Sequence, residues 1–257
     1  MSFWQPFLIV AVISILGISG GILLIYRENW ARLISKNLIN FSIGALLGVV
    51  FLDLLPEVIE RSQDVENILV YSLAGVLLFY FLEKTLLWYH HHSTEQVFHE
   101  KHTEEEKAHP VAYLITIGDG LHNFIDGLVI AAAFLIDFKL GLATSIAVLF
   151  HELPQEIGEF AILLHSGLNK TKVIVSSFLA QMTALVGFVL GFYYLSLFKN
   201  LDVILAAVAA GSFLYIATTD LLPETHREKQ LGKILVQVVL LISGILAIWL
   251  VGAFIPE

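Results

Sequence analysis

The sequence contains no cysteine. Disulfides and thiolate metal ligands are both excluded, so any metal site must draw on histidine, carboxylate, amide or water. Charge is scarce as well. Only 14% of residues are Asp, Glu, Lys or Arg, against roughly 25% in a soluble domain. The balance is acidic, with a net charge of -9, which argues against nucleic acid as a partner. No Gly-x-x-x-x-Gly-Lys-Ser/Thr loop occurs, so the usual cradle for ATP phosphates is missing. No basic stretch precedes the first apolar run, Phe7 to Tyr26. That run is as long as a full span and reads as a first transmembrane helix, not a cleaved signal.

What is abundant is apolar surface. Hydrophobic residues make up 57% of the 257-residue chain, and mean hydropathy is +0.81. That excess points to lipid as the solvent. Eight apolar segments each approach the roughly 20 residues a spanning helix needs: about 6–26, 38–59, 68–89, 110–134, 140–165, 171–194, 202–223 and 233–255. The expected fold is an all-α integral membrane protein of eight transmembrane helices. Arg27, Arg32, Lys36, Lys101, Lys107, Lys170, Lys172, Arg227, Lys229 and Lys233 fall in alternate loops, while the opposite loops hold Arg61, Lys139 and Lys199. The positive-inside tendency makes the first set cytoplasmic and turns both termini outward. Trp4, Trp30, Trp88 and Trp249 lie near span ends, as an interfacial belt would have them.

One element repeats. Asp53-Leu54-Leu55-Pro56-Glu57 ends the second span and Asp220-Leu221-Leu222-Pro223-Glu224 ends the seventh. The two spans run in opposite directions. This predicts inverted repeats in a 3+2+3 arrangement, with a three-helix unit on either side of a central pair. Asp53 and Glu57 then stand at the outer mouth, and Asp220 and Glu224 at the inner one, near His226. These oxygen-rich pairs suit loose entrance and exit sites.

The central pair carries the chemistry. His122-Asn123-Phe124-Ile125-Asp126 lies in the fourth span and His151-Glu152-Leu153-Pro154-Gln155-Glu156 in the fifth. A charged side chain at bilayer depth costs roughly 2.5–3.5 kcal/mol on insertion scales. Asp119, Asp126, Glu152, Glu156 and Glu159 share this zone with no lysine or arginine at the same depth. A bound divalent cation is the partner that compensates them. His122 and Asp126 stack on one helical face, as do His151 and Gln155, and Glu152 and Glu156. Imidazole with carboxylate suits zinc, and iron or manganese less selectively. Pro154 should leave the carbonyl of Phe150 without its helical donor, free to face a cavity.

Between the third and fourth spans, 90–109 reads as a polar, disordered cytoplasmic loop. It holds His90, His91, His92, His99, His102 and His109, a composition suited to weak metal capture.

The stretches Gly118 to Ala133, His151 to Gly167 and Ala210 to Glu224 resemble the ZIP (Zrt-, Irt-like protein) family of metal-ion transporters, in its branch with histidine-rich loops. The resemblance covers essentially the whole chain. It implies a zinc-preferring importer with no required cofactor, Zn2+ being the transported substrate and Fe2+, Mn2+ or Cd2+ further candidates. It implies a paired metal site from His122, Asn123, Asp126, His151, Glu152 and Gln155, followed by Glu156 and Glu159. It also implies sliding of one helix bundle against another, and homodimers. The expected location is the plasma (inner) membrane. Two departures stand out. Gln155 replaces a histidine of the branch, and the sixth span offers Ser176, Ser177 and Gln181 where some relatives have an acid.

Two other classes compete. His151-Glu152 evokes the His-Glu-x-x-His motif of zinc proteases, but the fifth position is Gln155 and Pro154 lies inside the motif. The other alternative is a metal-gated channel or sensor. Saturation with slow turnover would distinguish a carrier from it.

Overall fold

The computed structural model describes residues 2–97, 104–198, 200–226 and 228–254. Among the described residues the secondary structure is helical, with no strand. In chain order the helices are α1 (Trp4–Tyr26), α2 (Glu28–Ser62), α3 (Val65–Val97), α4 (Glu104–Ile136), α5 (Phe138–His165), α6 (Lys170–Tyr194), α7 (Leu201–Thr225) and α8 (Leu231–Phe254). All but α5 contain a stretch long and apolar enough to cross a membrane. α5 has the length, at 28 residues, but His151, Glu152, Gln155, Glu156 and Glu159 lower its hydropathy. It is an internal helix that other helices surround.

Burial separates centre from periphery. The apolar windows of α4 and α7 are each 61% buried, and that of α8 only 11%. Leu235, Val239, Ile242 and Leu246 on α8, and Leu69, Leu73 and Phe81 on α3, are exposed. Such faces are the expected surface toward lipid tails. α5 packs on α1, α2, α4 and α8, and α4 makes its most extensive contact with α6. α1, α4, α5 and α6 thus form one group of packed helices. α2 with α8, and α3 with α7, form another.

Lipid tails are as apolar as leucine, so helices in a bilayer are held by close packing and not by the hydrophobic effect. Small residues supply it. A methyl at Gly44 would stand 1.9 Å from the carbonyl oxygen of Leu241 on α8, and one at Gly211 would stand 1.8 Å from that of Ser72 on α3. Gly44 precedes Asp53 by the same offset at which Gly211 precedes Asp220. The two Asp-Leu-Leu-Pro-Glu segments also share a backbone form. Each begins in the last two residues of a wide π turn, Val49–Leu54 or Ile216–Leu221, and then resumes α-helix with proline in its first turn. Proline has no N–H, and its ring would strike the carbonyl four residues back. Opening the pitch relieves that clash.

Two expectations change. The segment 90–109 is not a single loop, because α3 continues to Val97 and α4 begins at Glu104. Glu104, Glu105, Glu106, Lys107 and Ala108 are strong helix formers, which outweighs their polarity. His90, His91, His92 and His109 are therefore on helix, while His99 and His102 lie outside the described residues. The Phe150 carbonyl does not open onto a cavity. The hydroxyl of Ser42 on α2 donates to it, replacing the donor that Pro154 removes.

Ser42→Ala should therefore leave that carbonyl unsatisfied at a cost of about 1–3 kcal/mol. The thermal unfolding midpoint of the purified chain in detergent should fall. An unchanged midpoint would mean that the carbonyl is served by water.

Candidate metal centre

α4 and α5 cross at their polar segments. On α4, His122 and Asp126 occupy one face a turn apart. On α5, His151 and Glu152 turn toward them. His122 Nε2 lies 3.7 Å from Asp126 Oδ2 and 3.4 Å from Glu152 Oε1. His151 Nε2 lies 3.2 Å from Asp126 Oδ2 and 3.5 Å from Glu152 Oε1. The two imidazole Nε2 atoms are 3.3 Å apart. Ligands held by a tetrahedral zinc at roughly 2.0–2.2 Å stand roughly 3.3–3.6 Å from one another. These five spacings are close to such edges, and all four atoms lie within 4.8 Å of one another.

Orientation and burial point the same way. His151 Nδ1 faces the Ala147 carbonyl at 3.3 Å. With its proton there, His151 presents the Nε2 lone pair to the group, the tautomer a metal requires. Asp126, His151 and Glu152 are at most 2% exposed. Asp126 Oδ2 and Glu152 Oε1 are buried with no hydrogen-bond donor. Such atoms are costly unless a cation or a proton meets them. Among the described residues their ionic neighbours are histidines, with no lysine or arginine in reach.

A second group adjoins the first through Glu152. Asp119, Glu152 and Glu156 bring one oxygen each within 4.8 Å of the others. Here amides supply the donors. Asn123 Nδ2 donates to Asp119 Oδ1 at 2.7 Å. Gln181 Nε2 of α6 donates to Glu152 Oε2 and, at 3.1 Å, to Glu156 Oε1. Gln155 Nε2 turns toward Glu159 Oε1 at 3.2 Å. Of the residues expected to ligate, then, His122, Asp126, His151 and Glu152 converge. Glu156 joins the second group. Asn123 and Gln155 spend their amide hydrogens on neighbouring acids. Sequence reasoning had not placed Asp119 or Gln181 in the ligand set. The signal for Asp119 was its position one turn before Asn123, and for Gln181 its polarity in mid-span. The protease-like reading also loses its geometry, since Glu152 sits among the ligating atoms instead of beside an open position.

A cavity opens toward the group of helices at each end. One, of 560 Å³, is lined by Asp53, Glu57, Glu60, Arg61, Asp137 and Lys139. Arg61 Nε donates to Glu57 Oε1 at 2.6 Å, and its guanidinium also reaches the Ile136 carbonyl at the end of α4. The other, of 520 Å³, includes Asn40, Pro154, Gly158, Glu224, Thr225 and Glu228 in its lining. Asp53 and Glu57 therefore lie at the opposite end of the bundle from Glu224. His226 is exposed just beyond the second cavity. Asp220 is on α7, its side chain outside the described residues.

Loss of a histidine from the first group should be severe. His151→Ala should weaken zinc binding by more than the roughly 10–100-fold that loss of an outer-shell partner costs. Competition with a chelator on purified protein checks this. Wild-type affinity in the variant would show that the four donors are a hydrogen-bond cluster only.

The profile of a family described as "ZIP Zinc transporter" matches residues 4–110 and 89–252. The chain is 32% identical over 238 residues to "Zinc transporter ZIP13" of Pongo abelii, covering 86% of this chain and 67% of that protein. It is 40% identical over 147 residues to "Zinc transporter foi" of Drosophila melanogaster, covering 56% of this chain and 20% of the relative. With "Zinc transporter ZIP10" of Homo sapiens it shares 45% identity over 114 residues, 44% of this chain and 14% of the relative. The chain thus spans two thirds of the first relative and far less of the other two. Nearly end-to-end agreement with the profile, on a helical bundle with imidazoles and carboxylates at its heart, makes the chain a member of the ZIP zinc transporter family.

Proposed function

We propose that the chain carries zinc across a membrane toward the cytoplasm by alternating access. The observation that carries this reading is the convergence of His122, Asp126, His151 and Glu152 to within 4.8 Å of one another, buried at mid-span with two oxygens lacking any donor. That the similar proteins are zinc transporters by name supports the same cargo. Iron, manganese and cadmium remain candidate cargoes for an N/O donor set.

The path runs from the Asp53/Glu57 cavity, through the four donors, to the Glu224 cavity. The basic loops set the first cavity outside and the second inside, with both termini outward in a plasma (inner) membrane. The potential then draws a dication inward at about 2.3 kcal/mol per charge per 100 mV. All four donors belong to the group α1, α4, α5 and α6. Sliding that group against α2, α3, α7 and α8 would move the whole site between the cavities without dismantling it. The matched π turns and glycine offsets favour the inverted 3+2+3 arrangement that such a motion uses. The homodimer expected from the family resemblance belongs to this proposal as well.

Uptake into proteoliposomes containing a metal-sensitive dye tests the reading. Zinc should enter saturably, and His122→Ala and His151→Ala should each reduce the rate to near background at equal reconstitution. Wild-type rates in both variants would overturn the site assignment.

The two cavities predict different kinetic losses. Asp53→Ala with Glu57→Ala should raise the apparent KM for external zinc. Asp220→Ala with Glu224→Ala should mainly lower the maximal rate, by slowing release. A lowered maximal rate at unchanged KM in the first double variant would mean that the outer acids do not gather metal.

A further inference from the structure

Glu152 is where two kinds of compensation meet. Its Oε1 faces the two imidazoles and has no donor, whereas its Oε2 accepts from Gln181. The same Gln181 nitrogen reaches Glu156 Oε1 at 3.1 Å. Gln181 is 1% exposed and comes from α6. α6 lies against α4 closely enough that a methyl at Gly127 would stand 1.9 Å from the Ala184 carbonyl oxygen. That contact fixes the depth at which Gln181 enters the site.

A cation bridging Glu152 and Glu156 would lie roughly 2.0–2.2 Å from an oxygen of each. The Gln181 nitrogen fills that gap. Its hydrogens carry positive charge, so they meet one oxygen of each carboxylate, Glu152 Oε2 and Glu156 Oε1, and repel a cation from the place between them, while Glu156 Oε2 has no donor. Asp119 Oδ1 and Glu159 Oε1, from the acids that would complete a second site, likewise accept from the amides of Asn123 and Gln155.

We propose that Gln181 makes this a one-ion centre. Its amide stands in for a second cation between Glu152 and Glu156 and leaves the His122/His151 group as the tight zinc site of the core. Gln181 is also a positioning residue, since holding Oε2 aims Oε1 of Glu152 at the imidazoles. This inference rests on the transport-site reading above but concerns how many ions that site holds.

The test counts metal directly. The chain is purified with His90, His91, His92, His99, His102 and His109 replaced by Ser, and loaded with zinc against a competing chelator. In that background about one zinc per chain should survive competition. Adding Gln181→Glu should raise this to about two, the second being lost again with Glu156→Gln. Two tight zinc ions without the Gln181 change would overturn the proposal. So would one ion both with and without it, while the transport reading stood. No tight zinc in either protein would sink the site assignment, and this inference with it. X-ray absorption at the zinc edge gives a readout that needs no Gln181 variant to fold. The zinc-loaded native chain should show nitrogen and oxygen neighbours alone. A metal–metal distance of about 3.5–4 Å, as in two-metal sites, would count against the one-ion centre.

Discussion

Carboxylates buried at bilayer depth must be met by a cation, a proton or a hydrogen-bond donor, and the centre of this molecule is arranged around how each is met. A single uncompensated charge costs roughly 2.5–3.5 kcal/mol on insertion scales. Asp119, Asp126, Glu152 and Glu156 are all buried. The structure divides them. Asp126 Oδ2 and Glu152 Oε1 face imidazoles and have no donor, while Asp119 Oδ1, Glu156 Oε1 and Glu152 Oε2 hold amide hydrogens. The first set is open to a dication. The second is already occupied by permanent protein dipoles that cannot leave with the cargo.

This division needs three helices at one depth, and small residues make that possible. Ala131, Ala132 and Ala133 on α4, and Ala206, Ala207, Ala209 and Ala210 on α7, are almost completely buried. A larger side chain at Ala131, which faces Gly191 on α6, would hold the α4 and α6 backbones apart and shift Gln181 away from Glu152. In lipid the gain from close approach is dispersion and polar contact, because burial from water is not available between the helices. α4 and α6 meet through Gly127 and Gly187, which holds Gln181 at the depth of the polar segment of α4.

Much of the centre was legible in the sequence. His122 with Asp126, and His151 with Glu152, could be placed because helical periodicity and span length fix face and depth without knowledge of the neighbours. The repeated Asp-Leu-Leu-Pro-Glu element was legible for the same reason, and its π turns follow from proline chemistry. What could not be read was the aim of the amides. Asn123 and Gln155 have the right spacing to ligate, yet each has an acid one turn away that its N–H satisfies. Choosing between ligand and donor depends on charges contributed by other helices. Gln181 and Ser42 are of that kind, reaching Glu152 and Phe150 across 29 and 108 positions of chain. The helices that enter the histidine-rich stretch were missed because its polarity was weighed above its local propensity.

The polar contacts between the two groups of helices have a distinct character. Ser42 on α2 caps the Phe150 carbonyl on α5, and Arg61 on α2 reaches the Ile136 carbonyl on α4. Each joins a side chain to a main-chain oxygen that helix geometry has left without its usual donor, one through Pro154 and the other through the end of α4. A carbonyl of this sort accepts a water as readily as a hydroxyl or guanidinium. Such links hold one arrangement of the two groups yet break at little net cost once water follows. By contrast, the contacts within the site pair carboxylates with amides and imidazoles in a dry interior, where an unmade bond is expensive. Weak, water-exchangeable links between the groups and strong, dry links inside one of them favour a site that moves as a unit. The alternative, a site that opens by pulling its own ligands apart, would require breaking the more costly set.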